Sequence, residues 1–235
     1  MQAAERHGAA DDMTGTPLVL NGVALVLDAT GLVWHEASRT LIGADLHLEK
    51  GSAFARRGQL LPPYDTLASL ALLSETVRRF DAARLILLGD SFHDRDAGAR
   101  LPEAARTTLA ALGAMSELVW ITGNHDPDIP AGLPGGVAAE VRLGPLTLRH
   151  IPARDPGTGE IAGHLHPVAR IRTRAGVVRR RCFVSDSRRL LLPAFGAYAG
   201  GLNVGDPAIA DLFARPAFHA LGARRVLPIA ADRIG

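Results

Sequence analysis

The hydrophobic positions in the first half of the chain form short apolar runs separated by longer amphipathic stretches. Runs at 40–45, 84–88 and 117–122 are mostly apolar, as buried strands are. Residues 64–80 and 102–113 predict helices, and the second begins with a proline, which suits a first helical turn. In the first helix the apolar positions recur at spacings of three or four: Leu67, Leu70, Leu73, Val77 and Phe80. Strands alternating with helices predict parallel strands joined by crossover helices, so the fold class is α/β.

Elsewhere the apolar runs are short and separated by turns that contain glycine, which predicts antiparallel strands. A polar loop is predicted for residues 48–63. The other runs predict hairpins at 23–35, 137–151 and 168–184, strands at 190–195 and 226–229, and a short helix at 208–213.

Composition limits the function classes only coarsely. A length of 235 residues with 47% hydrophobic content suits one α/β domain, which we place at residues 17–235 after a flexible tail at 1–16. The single cysteine, Cys182, excludes an internal disulfide and fits a reducing compartment. There is no signal-peptide pattern and no apolar run long enough to span a membrane. The prediction is a cytoplasmic protein without membrane contact.

Candidate metal ligands cluster at the ends of the predicted strands. Asp45 and His47 follow the first strand at positions i and i+2, which in an extended segment place both side chains on one face. His164 and His166 repeat that spacing. The other candidates each follow a strand-like run or lie in a turn: Asp90, His93, Asn124, His125 and His150. In open α/β sheets the carboxyl ends of strands are where ligands bind.

These oxygen and nitrogen donors suit Mn²⁺, Fe or Zn²⁺ better than Ca²⁺ or an ion that prefers thiolates. One ion needs three to five protein ligands, and about seven are present, which favours two ions that share a carboxylate. Asp90 stands alone at its strand end between the other ligand blocks and is the predicted bridge. Two adjacent ions can polarise a phosphoryl oxygen and generate a bridging hydroxide, so the predicted chemistry is phosphoester hydrolysis.

Five short motifs together resemble the signature blocks of the calcineurin-like metallophosphoesterases, in the order found in that family. They are Asp45-X-His47, Gly89-Asp90, Gly123-Asn-His-Asp126, His150 and Gly163-His-X-His166. The resemblance implies a β-sandwich of two mixed sheets flanked by helices, with a binuclear metal site at strand ends. It also implies the ligands: Asp45, His47 and His166 for the first ion, Asn124, His150 and His164 for the second, and Asp90 between them.

The same resemblance makes His125 the catalytic residue beside the substrate phosphate rather than a ligand. Asp126 is expected to orient His125 or its loop. One position departs from the family pattern. Many family phosphatases carry an acidic residue three positions after the Gly-Asp carboxylate, where this chain has His93. His93 is a candidate for contact with substrate or a ligand, and Asp94 could partly replace the missing acid.

A narrower resemblance is to the bacterial ligase-associated DNA damage response endonucleases of the PdeM type. It rests on Gly43–Lys50, Gly89–His93, Gly163–Pro167 and the long stretch Leu192–Asn203. The last stretch lies outside the metal blocks. This resemblance implies Mn²⁺-dependent cleavage of phosphodiesters, and DNA ligase and helicase-like partners in DNA repair.

An arginine-rich segment follows the last ligand block. Residues 170–189 contain eight arginines, and Arg170, Arg172 and Arg174 recur at a spacing of two, which places them on one strand face. This segment is either a wall that follows a nucleic-acid backbone or an ordinary solvated hairpin. The leading function is therefore a binuclear metal-dependent phosphodiesterase acting on DNA. The alternatives are a phosphomonoesterase or small-molecule phosphodiesterase, and a protein-interaction scaffold on the same fold.

Overall fold

A computed structural model describes residues 15–235, and its first sheet has seven strands. Strands β1 to β4 pair antiparallel, whereas β4, β5, β6 and β7 pair parallel. In chain order the strands are β1 (Thr16–Leu20), β2 (Val23–Leu27), β3 (Val33–His35), β4 (Thr40–Gly43), β5 (Arg84–Leu88), β6 (Glu117–Ile121) and β7 (Gly136–Ala138). The predicted parallel strands are therefore present.

The second sheet is also mixed, because β10 pairs parallel with both β9 and β13, and the other pairs are antiparallel. Its strands are β8 (Glu140–Leu143), β9 (Leu146–Arg149), β10 (Glu160–Ala162), β11 (Val168–Thr173), β12 (Gly176–Ser185), β13 (Arg189–Leu191), β14 (Ala217–Leu221) and β15 (Val226–Ile229). Their order is β15-β14-β12-β13-β10-β9-β8, with β11 paired to β12 outside this path.

The two sheets pack face to face, and alternation along the strands creates two core layers. Ile42 and Ile86 point into a buried cluster that also contains Leu148 and Phe183 of the second sheet. The residues before them, Leu41 and Leu85, point to the opposite face and pack against helices. Both faces of β4 and β5 are therefore covered, which explains their almost continuous apolar sequences.

Helices cover the outer faces of the sandwich. They are α1 (Lys50–Ala55), α2 (Asp65–Phe80), α3 (Ala97–Arg100), α4 (Glu103–Met115) and α5 (Pro207–Ala210). The prediction that α4 ends near Gly113 was two residues short, since Gly113 lies in the helix and a Cβ there would come within 2.5 Å of Pro134. In α2 the buried face includes Thr66 and Ser69, and Leu67 is 40% exposed, so its predicted core position was wrong.

Several predicted boundaries differ from the structure. The predicted loop 48–63 contains α1, and strands β1, β10 and β14 were not predicted. The predicted strand 137–143 is divided between the sheets, because β7 joins β6 and β8 joins β9. The predicted strand 190–195 ends at Leu191, and β11 ends at Thr173. Residues 1–14 of the predicted tail lie outside the described residues, and β1 already begins at Thr16. The described helices include none both long and apolar enough to cross a bilayer.

Candidate metal centre

The candidate site lies where parallel strands of both sheets end. Asp45 and Asp90 follow β4 and β5, and Asn124 follows β6. From the second sheet, His150 directly follows β9, and the His164–His166 loop follows β10. Because both sheets present carboxyl-terminal strand ends here, all seven predicted ligands are at one edge of the sandwich.

The loops that carry the ligands have unusual backbone conformations. Five predicted ligands have φ between 46° and 72°: Asp45, His47, Asp90, His164 and His166. This left-handed region is uncommon for residues other than glycine and costs about 1–3 kcal/mol at each position. The sequence had suggested an extended backbone for the two i, i+2 pairs, and this prediction was wrong. They converge because left-handed residues alternate with residues such as Leu46, which is buried in the core beneath the loop.

The first group of ligand atoms comes from Asp45, His47 and His166, and these atoms lie within 4.8 Å of one another. Nε2 of His47 is 3.3 Å from Nε2 of His166, which is 3.3 Å from Oδ1 of Asp45. Burial, and next the charge of His166, lower the pKa of His47 to about 3, so its imidazole is neutral. Neutral imidazole is the form that binds metal ions.

The second group comes from Asp90, His150 and His164, again within 4.8 Å, with Asn124 beside them. Nε2 of His150 lies 2.9 Å from Oδ1 of Asn124 and 3.2 Å from Nδ1 of His164. Nδ1 of His150 donates to the carbonyl oxygen of Leu88 at 2.9 Å, which directs Nε2 into the group. Burial would lower the pKa of His150, but the hydrogen bond to Asp90 and the charge of Asp45 raise it.

Asp90 is electrostatically linked to both groups. Its charge opposes part of the lowering of the pKa of His47 in the first group and helps to raise the pKa of His150 in the second. Burial alone would raise the pKa of Asp90 itself, but hydrogen bonds from His150 and from the backbone N–H of His125 lower it to about 2. The side chain is therefore an ionised carboxylate between two sets of imidazoles, as a bridging ligand must be.

The donor set fits two divalent cations. In each group imidazole nitrogens face one another at 3.2–3.3 Å, and Nδ1 of His47 is buried without a hydrogen-bond partner among the described residues. Such nitrogen lone pairs and carboxylate oxygens need a shared cation to compensate their burial. The clusters can therefore hold metal ions, and their chemistry leaves Mn²⁺, Fe and Zn²⁺ as candidates.

The predicted catalytic residue, His125, lies at the open side of this centre. Its side chain is 41% exposed, and its Nε2 is 3.9 Å from Oδ2 of Asp90. Nδ1 of His125 donates to the carbonyl oxygen of His93 at 2.8 Å, and the two rings stack with centroids 5.5 Å apart. His125 is thus held beside the ligands with one ring nitrogen directed at them.

Asp126 anchors the loop that carries Asp90. Its buried carboxylate accepts four backbone N–H groups, from Asp90 (2.9 Å), Ser91 (2.7 Å), Phe92 (3.1 Å) and Gly123 (2.9 Å). Burial raises the pKa of Asp126 to about 6, although hydrogen bonds from the backbone N–H groups act to lower it. Of the two expectations for Asp126, the contacts match orientation of the loop. The loops approach so closely that a Cβ at Gly123 would lie 2.2 Å from Oδ1 of Asp90.

Comparisons with known proteins give a match among solved structures, whereas no family model and no curated protein matches the chain. The nuclease MPE of Pseudomonas putida has 32% sequence identity, with a TM-score of 0.71, over 92% of this chain and 100% of its own. The chain belongs to the metallophosphoesterase family. This membership confirms the predicted fold and makes the chain a phosphoester hydrolase.

Two other solved structures are more distant from this metallophosphoesterase, each at 16% identity, and support no conclusion about function. Protein AQ665 of Aquifex aeolicus gives a TM-score of 0.38 over 54% of this chain and 78% of its own. The phosphoesterase YfcE of E. coli gives 0.40 over 81% and 98%. None of these matches tests the narrower resemblance to ligase-associated endonucleases, which stays a prediction.

The position at which this metallophosphoesterase departs from the family pattern has a defined environment. Atoms of His93, His47 and His125 form a third group within 4.8 Å, and Nδ1 of His93 is buried with no hydrogen-bond partner in residues 15–235. Asp94 cannot take the place of the missing acid, because both of its carboxylate oxygens accept from Arg100, at 2.9 and 2.8 Å. His93 therefore faces the centre alone.

Lys50 was given little weight in the sequence analysis, although it directly follows the first ligand block. Burial, and next the charge of Lys50, lower the pKa of His93 to about 4, so the ammonium lies close to the centre. Its Nζ is 5.8 Å from the ring of Phe54, which in turn packs against His93. Lys50 forms no ion pair with a carboxylate within residues 15–235. Burial lowers the pKa of Lys50, whereas the charge of Asp65 acts to raise it.

The arginine-rich hairpin of this metallophosphoesterase is formed by β11 and β12. Arg170 lies directly opposite Arg179, and the exposed Arg172 donates to the carbonyl oxygen of Asp232 at 2.5 Å. Arg174 lies in the turn after β11 rather than in the strand, so the predicted three-residue stripe was one residue too long. Arginines directly opposite repel one another, which disfavours the hairpin unless an anion lies nearby.

Proposed function

We propose that the chain is a binuclear metallophosphodiesterase that cleaves nucleic acid, with DNA as the leading substrate. The observation that carries this proposal is the pair of ligand groups at one edge of the sandwich, with Asp90 in one group and acting by its charge on the other, and with His125 beside them. Asp45, His47 and His166 would hold one ion, Asn124, His150 and His164 the other, and Asp90 both. Two ions there would polarise the phosphoryl group and activate a water molecule.

The protein's own residues have distinct parts in this reaction. His125 Nε2, directed toward the ligands, would donate a proton to the leaving oxygen or stabilise its charge. Lys50 would bind a non-bridging phosphate oxygen, which requires a positive charge at the open side of the centre. Asp126 would keep the loop of Asp90 in register through its four backbone contacts. His93 would contact substrate or a ligand.

Two features support a nucleic-acid substrate over a small phosphoester. The neighbour at 32% identity is a nuclease, and it is matched over its full length. The β11–β12 hairpin offers Arg170, Arg172 and Arg174, with Arg179 opposite, as a basic surface for a phosphate backbone. A phosphomonoesterase needs no such surface. A scaffold without catalysis would need neither the seven ligands nor His125.

The first experiment compares hydrolysis of bis-p-nitrophenyl phosphate and p-nitrophenyl phosphate by metal-stripped protein refilled with Mn²⁺, Fe²⁺ or Zn²⁺. Asp90→Asn is the control. We expect a preference for the diester, strongest with Mn²⁺, that is lost in the variant. A preference for the monoester would instead support a phosphatase, and no activity on either would support the scaffold.

A role in DNA repair with DNA ligase and helicase-like partners is proposed from the narrower resemblance. The test is a pull-down with this protein as bait from cells exposed to DNA damage. Recovery of neither class of partner would count against that role while leaving the nuclease proposal unaffected.

A further inference from the structure

A cavity of about 600 Å³ lies apart from the predicted metal ligands. Its walls come from the turn after β2, from helix α2, from β12 and from the turn between β14 and β15. Three arginines line it: Arg79, Arg181 and Arg224. None of the seven predicted metal ligands lines this cavity.

Arg181 is a partly buried cation without a counter-charge. Its Nη1 donates to the carbonyl oxygens of Ala194 (2.7 Å) and Phe195 (3.1 Å). Among residues 15–235 it forms no ion pair with a carboxylate, and its other guanidinium nitrogens have no hydrogen-bond partner. Burial lowers the pKa of Arg181. A partly buried guanidinium with free donors and no carboxylate partner is suited to bind an anion.

Arg79 is oriented toward the same space by fixed contacts. Its Nη2 lies 2.8 Å from Oδ2 of Asp28, and its guanidinium stacks over the ring of Phe80 at 4.8 Å. The other oxygen of Asp28 accepts from the backbone and side chain of Thr30, so this carboxylate is fully engaged. Arg224 is exposed at the mouth of the cavity and forms no ion pair within the described range. Among the residues that the structure describes, Glu75 is the one other acidic residue in the lining.

The cavity is connected to the metal centre through a short backbone segment. Carbonyl groups of Ala194 and Phe195 accept from Arg181. On the other side, the N–H of Phe195 donates to Ala44 (2.9 Å) and that of Gly196 to Asp45 (3.1 Å). The cavity and the first ligand loop therefore contact opposite sides of the same three-residue segment, Ala194 to Gly196.

We propose that this cavity binds a phosphate of the substrate strand, at a nucleotide beyond the one that is cleaved. The inference rests on the proposed nuclease function and extends it, because it makes the enzyme select polymers over short phosphodiesters. Arg181 and Arg79 form the base of the site, and Arg224 closes over the phosphate at its mouth. Glu75 limits the affinity by repulsion.

The test compares Arg224→Ser with Arg225→Ser, an equal charge change on the neighbouring exposed residue that does not line the cavity. Each Mn²⁺-loaded variant is assayed on a 20-nucleotide single strand, on a dinucleotide and on bis-p-nitrophenyl phosphate. We expect Arg224→Ser to reduce kcat/KM on the 20-mer by about threefold to tenfold and to lower its salt dependence by about one unit of log–log slope. The two short substrates should be unaffected.

Glu75→Gln should have the opposite effect, because it removes a negative charge from the cavity. We expect a higher kcat/KM on the 20-mer and no change on the two short substrates. Equal behaviour of Arg224→Ser and Arg225→Ser on the 20-mer would overturn the proposal. It would also be overturned if Arg224→Ser altered only inhibition by inorganic phosphate, which would make the ligand a free anion. If the wild-type enzyme cleaves bis-p-nitrophenyl phosphate but no oligonucleotide, the nuclease function itself fails, which is a distinguishable result.

Discussion

Replacement of Asp126 by asparagine should damage the metal centre although Asp126 is not a predicted ligand. Oδ1 and Oδ2 of Asp126 each accept two backbone N–H groups, and the amide of asparagine keeps only one of these acceptors. Two buried N–H groups in the loops of Asp90 and Gly123 would then face an NH₂ group. A buried donor without an acceptor costs about 1–3 kcal/mol, so the expected loss is about 2–6 kcal/mol.

Part of this cost should appear as misplacement of Asp90 rather than as global unfolding, because the two affected N–H groups include either that of Asp90 or those of Ser91 and Phe92 directly after it. We expect the affinity for Mn²⁺ to fall about 10-fold to 100-fold, the usual range for loss of a group that orients a ligand. The assays are thermal unfolding with and without Mn²⁺ and a metal-binding titration.

Asp81→Asn is the matched control for this experiment. The Asp81 carboxylate is 92% exposed in a surface pair with Arg39, and loss of such a pair costs no more than about 1 kcal/mol. If Asp126→Asn had the same unfolding temperature and metal affinity as Asp81→Asn, the loop would be held by other contacts and the reasoning would be wrong.

Three further predictions concern the centre and the hairpin. His125→Ala should lower turnover about 10²-fold to 10⁴-fold with unchanged metal content by elemental analysis; loss of bound metal together with activity would refute the catalytic role. Chelation should lower the unfolding temperature and abolish activity, and Mn²⁺ should restore both, because ions that bind only the folded state stabilise it; an unchanged unfolding temperature would argue against ligands drawn from two sheets. Replacing the three hairpin arginines by serine should weaken DNA cleavage and reduce its salt dependence, while hydrolysis of a small diester stays unchanged. A control triple with equal loss of charge should leave DNA cleavage unchanged, and equal effects of the two triples would refute a role of the hairpin. The triple is Arg170, Arg172 and Arg174, and its exposed control is Arg142, Arg154 and Arg215.

The sequence predicted those parts of the fold in which local pattern and burial agree. Strands β4 and β5 are buried on both faces and read as unbroken apolar runs, so they were recognised. Strand β10 was missed because it has three residues, Glu160–Ala162, and begins with a charge that is satisfied only in three dimensions. Glu160 is fully buried through its pair with Arg189, at 2.6 Å, and no local pattern indicates this contact.

The candidate ligands could be selected from the sequence because their residue types and order carry chemical information. The backbone conformation that brings these ligands together could not be predicted from the sequence. Periodicity assumes regular backbone, whereas His47 and His166 adopt left-handed conformations that the surrounding packing imposes. Lys50 and Arg181 were undervalued for a related reason. Their importance follows from burial without an ionic partner, which is a property of the tertiary structure.

Because the predicted ligands come from both sheets, the metal centre can form only late in synthesis of the chain and is lost when the chain is cut. Asp45, His47, Asp90 and Asn124 precede residue 130, whereas His150, His164 and His166 follow it. A nascent chain therefore lacks a complete set of ligands until its second sheet has been synthesised and has docked onto the first. Proteolytic fragments of either half lack it permanently. A phosphoester hydrolase with this predicted set of ligands thus acquires its activity only as an intact molecule, and partial products of its synthesis or degradation are inactive.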